Sequence, residues 1–458
     1  MVAVAPKNDE DQQALQARTV RKVALRLIPF LGVLYFINYL DRTNIGFAKL
    51  TMSDDLQLTE TMFGLASGLF FIGYLFFEVP SNLALHRFGA RRWIARIMVS
   101  WGIVASLMAL ANSAQSLFIL RVLLGIAEAG FFPGILLYLT FWFPRKERVR
   151  LIGWFLVAIP ASSALGSPIS SAILQYGDGL MGLEGWRLMF LLEGLPAIAL
   201  GVVTWFYLPD RPADASWLEK DERDWLTDTI EAEEREVEAR HGSASALRSL
   251  ANPRVICLGL VYFGIVYGLY ALSFFLPTIV AGFSQQFGTT FSLVQTGLIV
   301  SVPFVIGAVA MVFWSKHSDR TEERVWHVAL PALLAGVSIP VALYLGSPFA
   351  VMIAVTLTSI GIFCALPVFW YLPSVFLTGA GAAAGIALIN SLGNTSGFAA
   401  PYITGRLADL TGNFEAGMWV VSAVVLLAAV GVVVLKGAPP ERTNATPGRA
   451  ESVNHPSA

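Results

Sequence analysis

Residues 23–48 read VALRLIPFLGVLYFINYLDRTNIGFA, an apolar run long enough to cross a bilayer as a helix, with Asp41 and Arg42 side by side inside it. A spanning helix needs about 20 apolar residues. Ionised groups at that depth are costly unless they face a partner or a water-filled path, so they mark an ion or substrate route. A second pair, Arg121 and Glu128, lies in another apolar segment, residues 116–143. The two pairs predict a carrier of charged solutes.

Composition points the same way. Hydrophobic residues make up 55% of the chain and charged residues 14%, with a mean hydropathy of +0.64, a balance that soluble globular chains rarely show. A formal net charge of −1 and the lack of an isolated basic block exclude nucleic acid as a partner. Cys257 and Cys364 both lie in apolar segments far apart in sequence and read as packing residues rather than a disulfide or metal ligands. The five histidines, His86, His241, His317, His327 and His455, fall in loops, helix ends or tails, so neither a metal centre nor a nucleophile with its base is expected. No phosphate-binding loop of the Walker type is present, which excludes ATP as the driving force. The expected reading is therefore not an enzyme and holds no cofactor; a proton gradient supplies the energy, with sodium left open.

Apolar stretches near spanning length fall at 23–48, 61–85, 93–111, 116–143, 149–175 and 186–208, then at 255–283, 291–315, 326–346, 349–377, 383–411 and 414–436. This predicts two six-helix bundles, 23–208 and 255–436, with tails at 1–22 and 437–458 and a polar linker at 209–254. The linker carries a charged helical run from Trp217 to Arg240, in which Trp217, Leu218, Trp225 and Leu226 form one apolar stripe. Lysine and arginine concentrate on alternate connections: Arg18, Arg21 and Lys22, then Arg87, Arg91, Arg92 and Arg96, then Arg145, Lys146, Arg148 and Arg150, followed by the linker, Lys316, Arg320, Arg324 and Lys436. The opposite connections hold Lys49, Arg187 and Arg406. Both termini are therefore predicted to be cytoplasmic.

Two loops carry related charge patterns at equivalent places in the halves: Asn82-Leu-Ala-Leu-His86-Arg87-Phe-Gly89-Ala-Arg91-Arg92 and Ser315-Lys-His-Ser-Asp319-Arg320-Thr-Glu-Glu-Arg324. They resemble the short basic loop of the major facilitator superfamily, in which an acid and arginines pin neighbouring helices. The first copy has His86 where that family has an aspartate. Four further segments narrow the resemblance: Tyr39-Leu-Asp41-Arg42-Thr-Asn44-Ile-Gly46-Phe-Ala48, Glu78-Val-Pro80-Ser-Asn82, Arg121-Val-Leu-Leu-Gly125-Ile-Ala-Glu128-Ala-Gly130-Phe-Phe-Pro133-Gly134 and Gly385-Ile-Ala-Leu-Ile-Asn390-Ser-Leu-Gly393-Asn394. Together they are similar to the anion:cation symporters, in the branch of carboxylate permeases for tartrate, phthalate, hydroxyphenylacetate and allantoate-like solutes. The resemblance implies an all-α membrane protein of the major facilitator fold, with 12 transmembrane helices, in a bacterial-type inner membrane and as a monomer. It also implies that a small organic anion and the bilayer are its partners. It places Tyr74, Trp370, Asn390 and Asn394 around the substrate.

The residues themselves suggest the chemistry. Arg121 and Glu128, seven apart, project from one helix face. Tyr35, Tyr39 and Arg42 share one stripe of the first helix, and Asn38 and Asp41 the next. A guanidinium fork matches carboxylate geometry, so Arg42 is the expected substrate ligand, with Tyr39 beside it. Asp41 and Glu128 are the expected proton carriers, and Arg121 is expected to pair with one or both in some states. Glu78, with Arg87, Arg91, Asp319 and Arg320, is assigned to the gate or its cytoplasmic latch, and Glu193, in the sixth helix, to a structural role.

Overall fold

The computed structural model describes residues 9–239, 252–376 and 381–437, and every regular element among them is helical. Residues 1–8, 240–251 and 438–458, which belong to the expected tails and linker, lie outside the described residues. An all-helical answer follows from the solvent: within hydrocarbon each backbone group must find its partner inside the segment.

The first span runs as Asp9–Thr43 and continues as Ile45–Asp55. The second is Glu60–Phe88, the third Ala90–Leu107, and the fourth is split into Ala114–Glu128 and Phe131–Thr140. The fifth comprises Arg145–Leu156 and Ala158–Tyr176, and the sixth is Gly185–Tyr207. After the linker come Pro253–Ala281, Leu293–Thr321, Val325–Leu343 and Pro348–Phe369 as the seventh to tenth, and Glu415–Gly437 as the twelfth. The eleventh is Gly381–Asn394 joined to Ser396–Thr411; its backbone bonding runs on through Thr395, whose N–H donates to Ser391 O at 3.2 Å while its carbonyl accepts from Ala399 N at 3.1 Å. Side-chain caps fix several starts. Thr59 accepts from Met62 N, and Ser113 with Ser116 and Ser292 with Gln295 close reciprocal capping boxes.

Packing shows that the halves are repeats. Spans 2 and 4, 3 and 6, 1 and 5, and 1 and 6 pack together in the first half, and 8 and 10, 9 and 12, 7 and 11, and 7 and 12 do so in the second. Across the divide, span 2 meets 11, span 5 meets 8, and span 1 meets 7, the pattern a two-fold relation between the halves generates. Glycine permits the close approach of spans 2 and 11: a Cβ on Gly64 would meet Pro401 O at 2.2 Å, and one on Gly405 would meet Glu60 O at 2.1 Å.

The face assigned to the exterior is locked by charge and aromatic rings. Glu60 N and Thr61 N donate to the Asp409 carboxylate at 3.1 and 2.8 Å. Lys49, buried, pairs with Glu60 at 2.6 Å and lies within 5.3 Å of the ring centres of Phe63, Phe275 and Phe414, the last two from the second half.

On the opposite face the first basic loop has a different acid from the one its sequence lacks. Arg91 N donates to Asp210 Oδ1 at 2.8 Å, and the Arg91 guanidinium lies 3.7 Å from Asp210 Oδ2, so the end of the sixth span stands in for the missing aspartate. Gly89, at φ 88°, makes room: a Cβ there would meet Asp210 Oδ1 at 2.9 Å. In the second copy Asp319 pairs with Arg324 at 2.8 Å, while Arg320 is exposed.

The polar segment before the apolar run at Val23 is already helical, and charge on the linker holds it. The linker helix, Lys220–Ala239, buries Leu226 and Ile230, and Glu222, with a side chain 1% exposed, takes Lys22 at 2.8 Å and Arg18 at 3.0 Å. Trp217 and Leu218 precede this helix instead of opening it, and Trp217 stacks on Trp142 at 5.9 Å. Although burial alone would raise it, hydrogen bonds from Lys22 and the Glu219 N–H and the charges of Lys22 and Arg18 hold the Glu222 carboxyl below its usual range. A depressed acid contributes stability that is present above its unfolded value, near 4.3, and is lost as pH falls through the folded one. Below about pH 4 the contact between residues 9–22 and the linker is expected to weaken by ~1 kcal/mol. Amide protection factors of that segment, corrected for the pH dependence of intrinsic exchange, should fall on acidification in the wild type and stay constant in Glu222→Gln; an equal acid response in both would refute the assignment.

Candidate functional site

The centre of the first half gathers the charged residues, about halfway along the spans. Arg42 forms a direct ion pair with Glu128, and Arg42 Nη1 reaches Tyr270 OH of the seventh span at 3.5 Å. The guanidinium carbon lies 5.2, 5.9 and 5.4 Å from the ring centres of Phe70, Phe71 and Tyr74. Phe71 in turn meets Tyr270 edge to face at 4.6 Å. The cation is thus enclosed by aromatic faces of the second span and bridged to the second half by one tyrosine. A buried charge pair persists only when geometry and extra hydrogen bonds offset its desolvation, and both Arg42 and Glu128 are almost wholly buried.

Asp41, one residue earlier, points elsewhere. Its Oδ2 accepts from Trp101 Nε1 of the third span at 2.8 Å, and its Oδ1 has no hydrogen-bond partner among the described residues. Tyr39, also buried, lies beside Tyr270 and Ser273.

Arg121 shares the helix face of Glu128, as the spacing predicts, but a different cation takes the acid. Arg121 Nε donates to Ala66 O at 3.1 Å and Nη2 to Ser67 O at 3.4 Å, and its guanidinium lies 5.1 Å from the Phe70 ring centre. The expected Arg121–Glu128 pair is therefore not made here; Arg42 holds that position. The reason is the close approach of spans 2 and 4. A Cβ on Gly125 would meet Phe70 O at 2.0 Å and one on Gly73 would meet Val122 O at 2.4 Å, so the backbones touch and the carbonyls of the second span come within reach of Arg121. Directly after Glu128 the fourth span breaks at Gly130, at φ 83°, where a Cβ would meet Ser81 Oγ at 2.4 Å.

The remaining candidates fall in three places. Asn390 Nδ2 donates to Glu78 Oε1 at 3.0 Å, joining the second and eleventh spans across the divide. Trp370 packs edge to face on Tyr262 at 4.8 Å, and Asn394 is half-buried one turn beyond Asn390. Arg87 lies over Phe88 at 5.6 Å; like Arg91, Asp319 and Arg320 it sits at a helix end, away from the central cluster.

Sequence reasoning missed part of the centre. Trp101, Phe70 and Phe71 carried no signal in apolar runs, and Tyr270 was one of three tyrosines in its helix. Asn44 stood in a quoted motif; its Nδ2 donates to Glu193 Oε2 at 2.9 Å, and Ser170 Oγ donates to Glu193 Oε1 at 2.7 Å. No group of three or more His, Cys, Asp or Glu side chains among the described residues is arranged to hold a metal ion.

Residues 31–401 match the family model described as Major Facilitator Superfamily. A protein of Agrobacterium vitis named "Putative tartrate transporter" is 49% identical over 429 residues, covering 93% of each chain. A "Quinolone resistance transporter" of Acinetobacter baumannii is 39% identical over 412 residues, covering 90% of this chain and 93% of its own. Among solved structures, a D-xylose-proton symporter superposes with a TM-score of 0.71 at 18% identity, over 91% of this chain and 98% of its own. That last likeness concerns the fold alone.

Proposed function

Because the chain belongs to the Major Facilitator Superfamily and is a multi-pass membrane transporter, not an enzyme, we propose that it imports a small organic carboxylate of the tartrate type by proton-coupled alternating access. One observation carries this reading: Arg42, the cation best placed to receive a carboxylate, is held by an acid of its own half and touches the other half through Tyr270. The name of the 49% identical relative supports the substrate class.

Charge balance supplies the coupling. Arg42 and Arg121 face Asp41 and Glu128 in the buried cluster, two cations against two acids. A substrate carboxylate that takes Arg42 displaces Glu128, and an unpaired carboxylate at that depth is costly until it gains a proton. A monoanion thus requires one proton; a dianion requires two, with Asp41 as the second acceptor. The occupied, neutral cluster then lets the halves rock, whereas a partly loaded one resists. Asn390 and Glu78, bonded across the divide, form part of the inner gate, and Asn394, Trp370 and Tyr262 offer the second half's polar and aromatic contacts.

Uptake of radiolabelled L-tartrate into proteoliposomes tests this. Saturable uptake driven by an acid exterior and abolished by a protonophore is the expected result. Uptake indifferent to the pH gradient would overturn the coupling. Movement of a quinolone and not of tartrate would overturn the substrate class in favour of the function named for the Acinetobacter relative.

A further inference from the structure

We infer that Glu193 is a third proton-carrying group of the transport cycle, exchanging its proton through a water-sized cavity at the interface of the two halves; the inference rests on the proton coupling proposed above. Glu193, 3% exposed in the sixth span, makes no ion pair among the described residues. Its two oxygens are held by Asn44 Nδ2 at 2.9 Å and Ser170 Oγ at 2.7 Å, both neutral donors. A buried carboxylate with neutral partners alone is a high-cost anion, and a proton removes that cost.

Both donors also line a cavity of about 10 Å³, bounded by Thr43 and Asn44 of the first span, Ser163, Ser167 and Ser170 of the fifth, Ser273 of the seventh, and Val300 and Phe304 of the eighth. That volume is near the minimum for one water, and six of these side chains are polar. Asn44 Oδ1, 2% exposed by residue, has no partner among the described residues. The cavity lies where the fifth span meets the eighth, so the rocking that separates the halves on one face widens it. Water admitted there touches Ser170, and the proton on a Glu193 oxygen passes by way of the Ser170 hydroxyl to that water, leaving the carboxylate held by Asn44.

The groups around Glu193 limit what else titrates. From the first span Asp41 is the acid that interacts with it electrostatically. The third span meets the sixth backbone to backbone, a Cβ on Gly102 falling 2.8 Å from Gly194 O, and offers Trp101 and Ser106; the fifth offers Ser170. None of these three side chains titrates in the working range. Asp41 and Glu193 are two acids tied to one stretch of the first span, Asp41 directly and Glu193 through Asn44.

The test is the proton-to-tartrate ratio, measured as a reversal potential in proteoliposomes holding the full chain. Glu193→Gln keeps an oxygen for Ser170 and, with the Asn44 amide turned, a donor for Asn44 Oδ1, so a merely structural glutamate survives the change. The expected result is a ratio lower by one than wild type, with tartrate counterflow retained. A wild-type ratio in Glu193→Gln overturns the inference. Ser170→Ala provides the second reading, because it leaves the acid in place and removes the hydroxyl between it and the cavity: gradient-driven uptake should slow about tenfold while counterflow, at constant pH, is unchanged. Equal wild-type rates in both assays overturn the route. If the wild-type protein itself moves no protons, the proposed coupling fails first and the inference falls with it.

Discussion

Arg42→Lys is expected to lower the initial rate of tartrate uptake about 100-fold while leaving the protein folded. Lysine keeps the charge, so Glu128 retains a counter-ion, but the ammonium is a point donor and cannot present the planar fork that matches a carboxylate. In a buried site the lost geometry is worth about 3 kcal/mol, toward the lower end of what removing a buried charge partner costs, and each 1.4 kcal/mol is a factor of ten. The aromatic enclosure adds to the loss, because Phe70, Phe71 and Tyr74 surround the guanidinium at 5.2 to 5.9 Å and a shorter head group sits differently among them. Initial rates in proteoliposomes, with thermal unfolding as the control for folding, decide the matter. Uptake within threefold of wild type at an unchanged unfolding temperature would remove Arg42 from the substrate site.

The second large effect concerns accumulation rather than rate. One imposed pH unit corresponds to about 1.4 kcal/mol per coupled proton, so each proton carried supports up to about tenfold concentration of the substrate. Asp41→Asn and Glu128→Gln remove the two acids of the charged cluster while keeping their shapes. Each is expected to lose about tenfold in steady-state accumulation under one pH unit, and counterflow of labelled tartrate should persist. Glu128→Gln should show a further change, since it frees Arg42 from its ion pair: tartrate binding is expected to tighten, as seen by intrinsic tryptophan fluorescence. If both variants still concentrate tartrate as wild type does, neither acid carries the coupled proton.

Much of this was legible in the chain before any coordinates. The apolar run around Asp41 and Arg42, repeated in kind eleven more times, gives the spans, because bilayer thickness sets segment length and the solvent dictates helix. That Arg121 and Glu128 share one face of the fourth span was also readable, from spacing within a single helix. What spacing cannot give is the partner across helices. Whether Glu128 meets Arg121 on its own helix or Arg42 on another depends on how closely spans 2 and 4 approach, which Gly73 and Gly125 decide only once the two are known to touch. The partners of Glu193 were out of reach for the same reason: its donors, Asn44 and Ser170, lie 149 and 23 residues away in sequence. Asp210 could replace the missing loop acid only because the sixth span ends beside the start of the third. The helix ahead of Val23 required knowing where the linker docks, since that segment has no apolar face long enough to order it alone.

The break after Glu128 makes the fourth span two rods with a hinge between them. The upper rod is riveted to the second span by Arg121, whose bonds go to main-chain carbonyls and do not depend on any side-chain state. At the hinge itself, Gly130 bears on Ser81, only three residues past Glu78. Any tilt at the inner end of the second span therefore presses on the hinge and turns the one carboxylate that stands at it. On the proposed mechanism the gate and the proton acceptor are opposite ends of one lever, and a bulky residue at position 130 is expected to jam it without touching a charge.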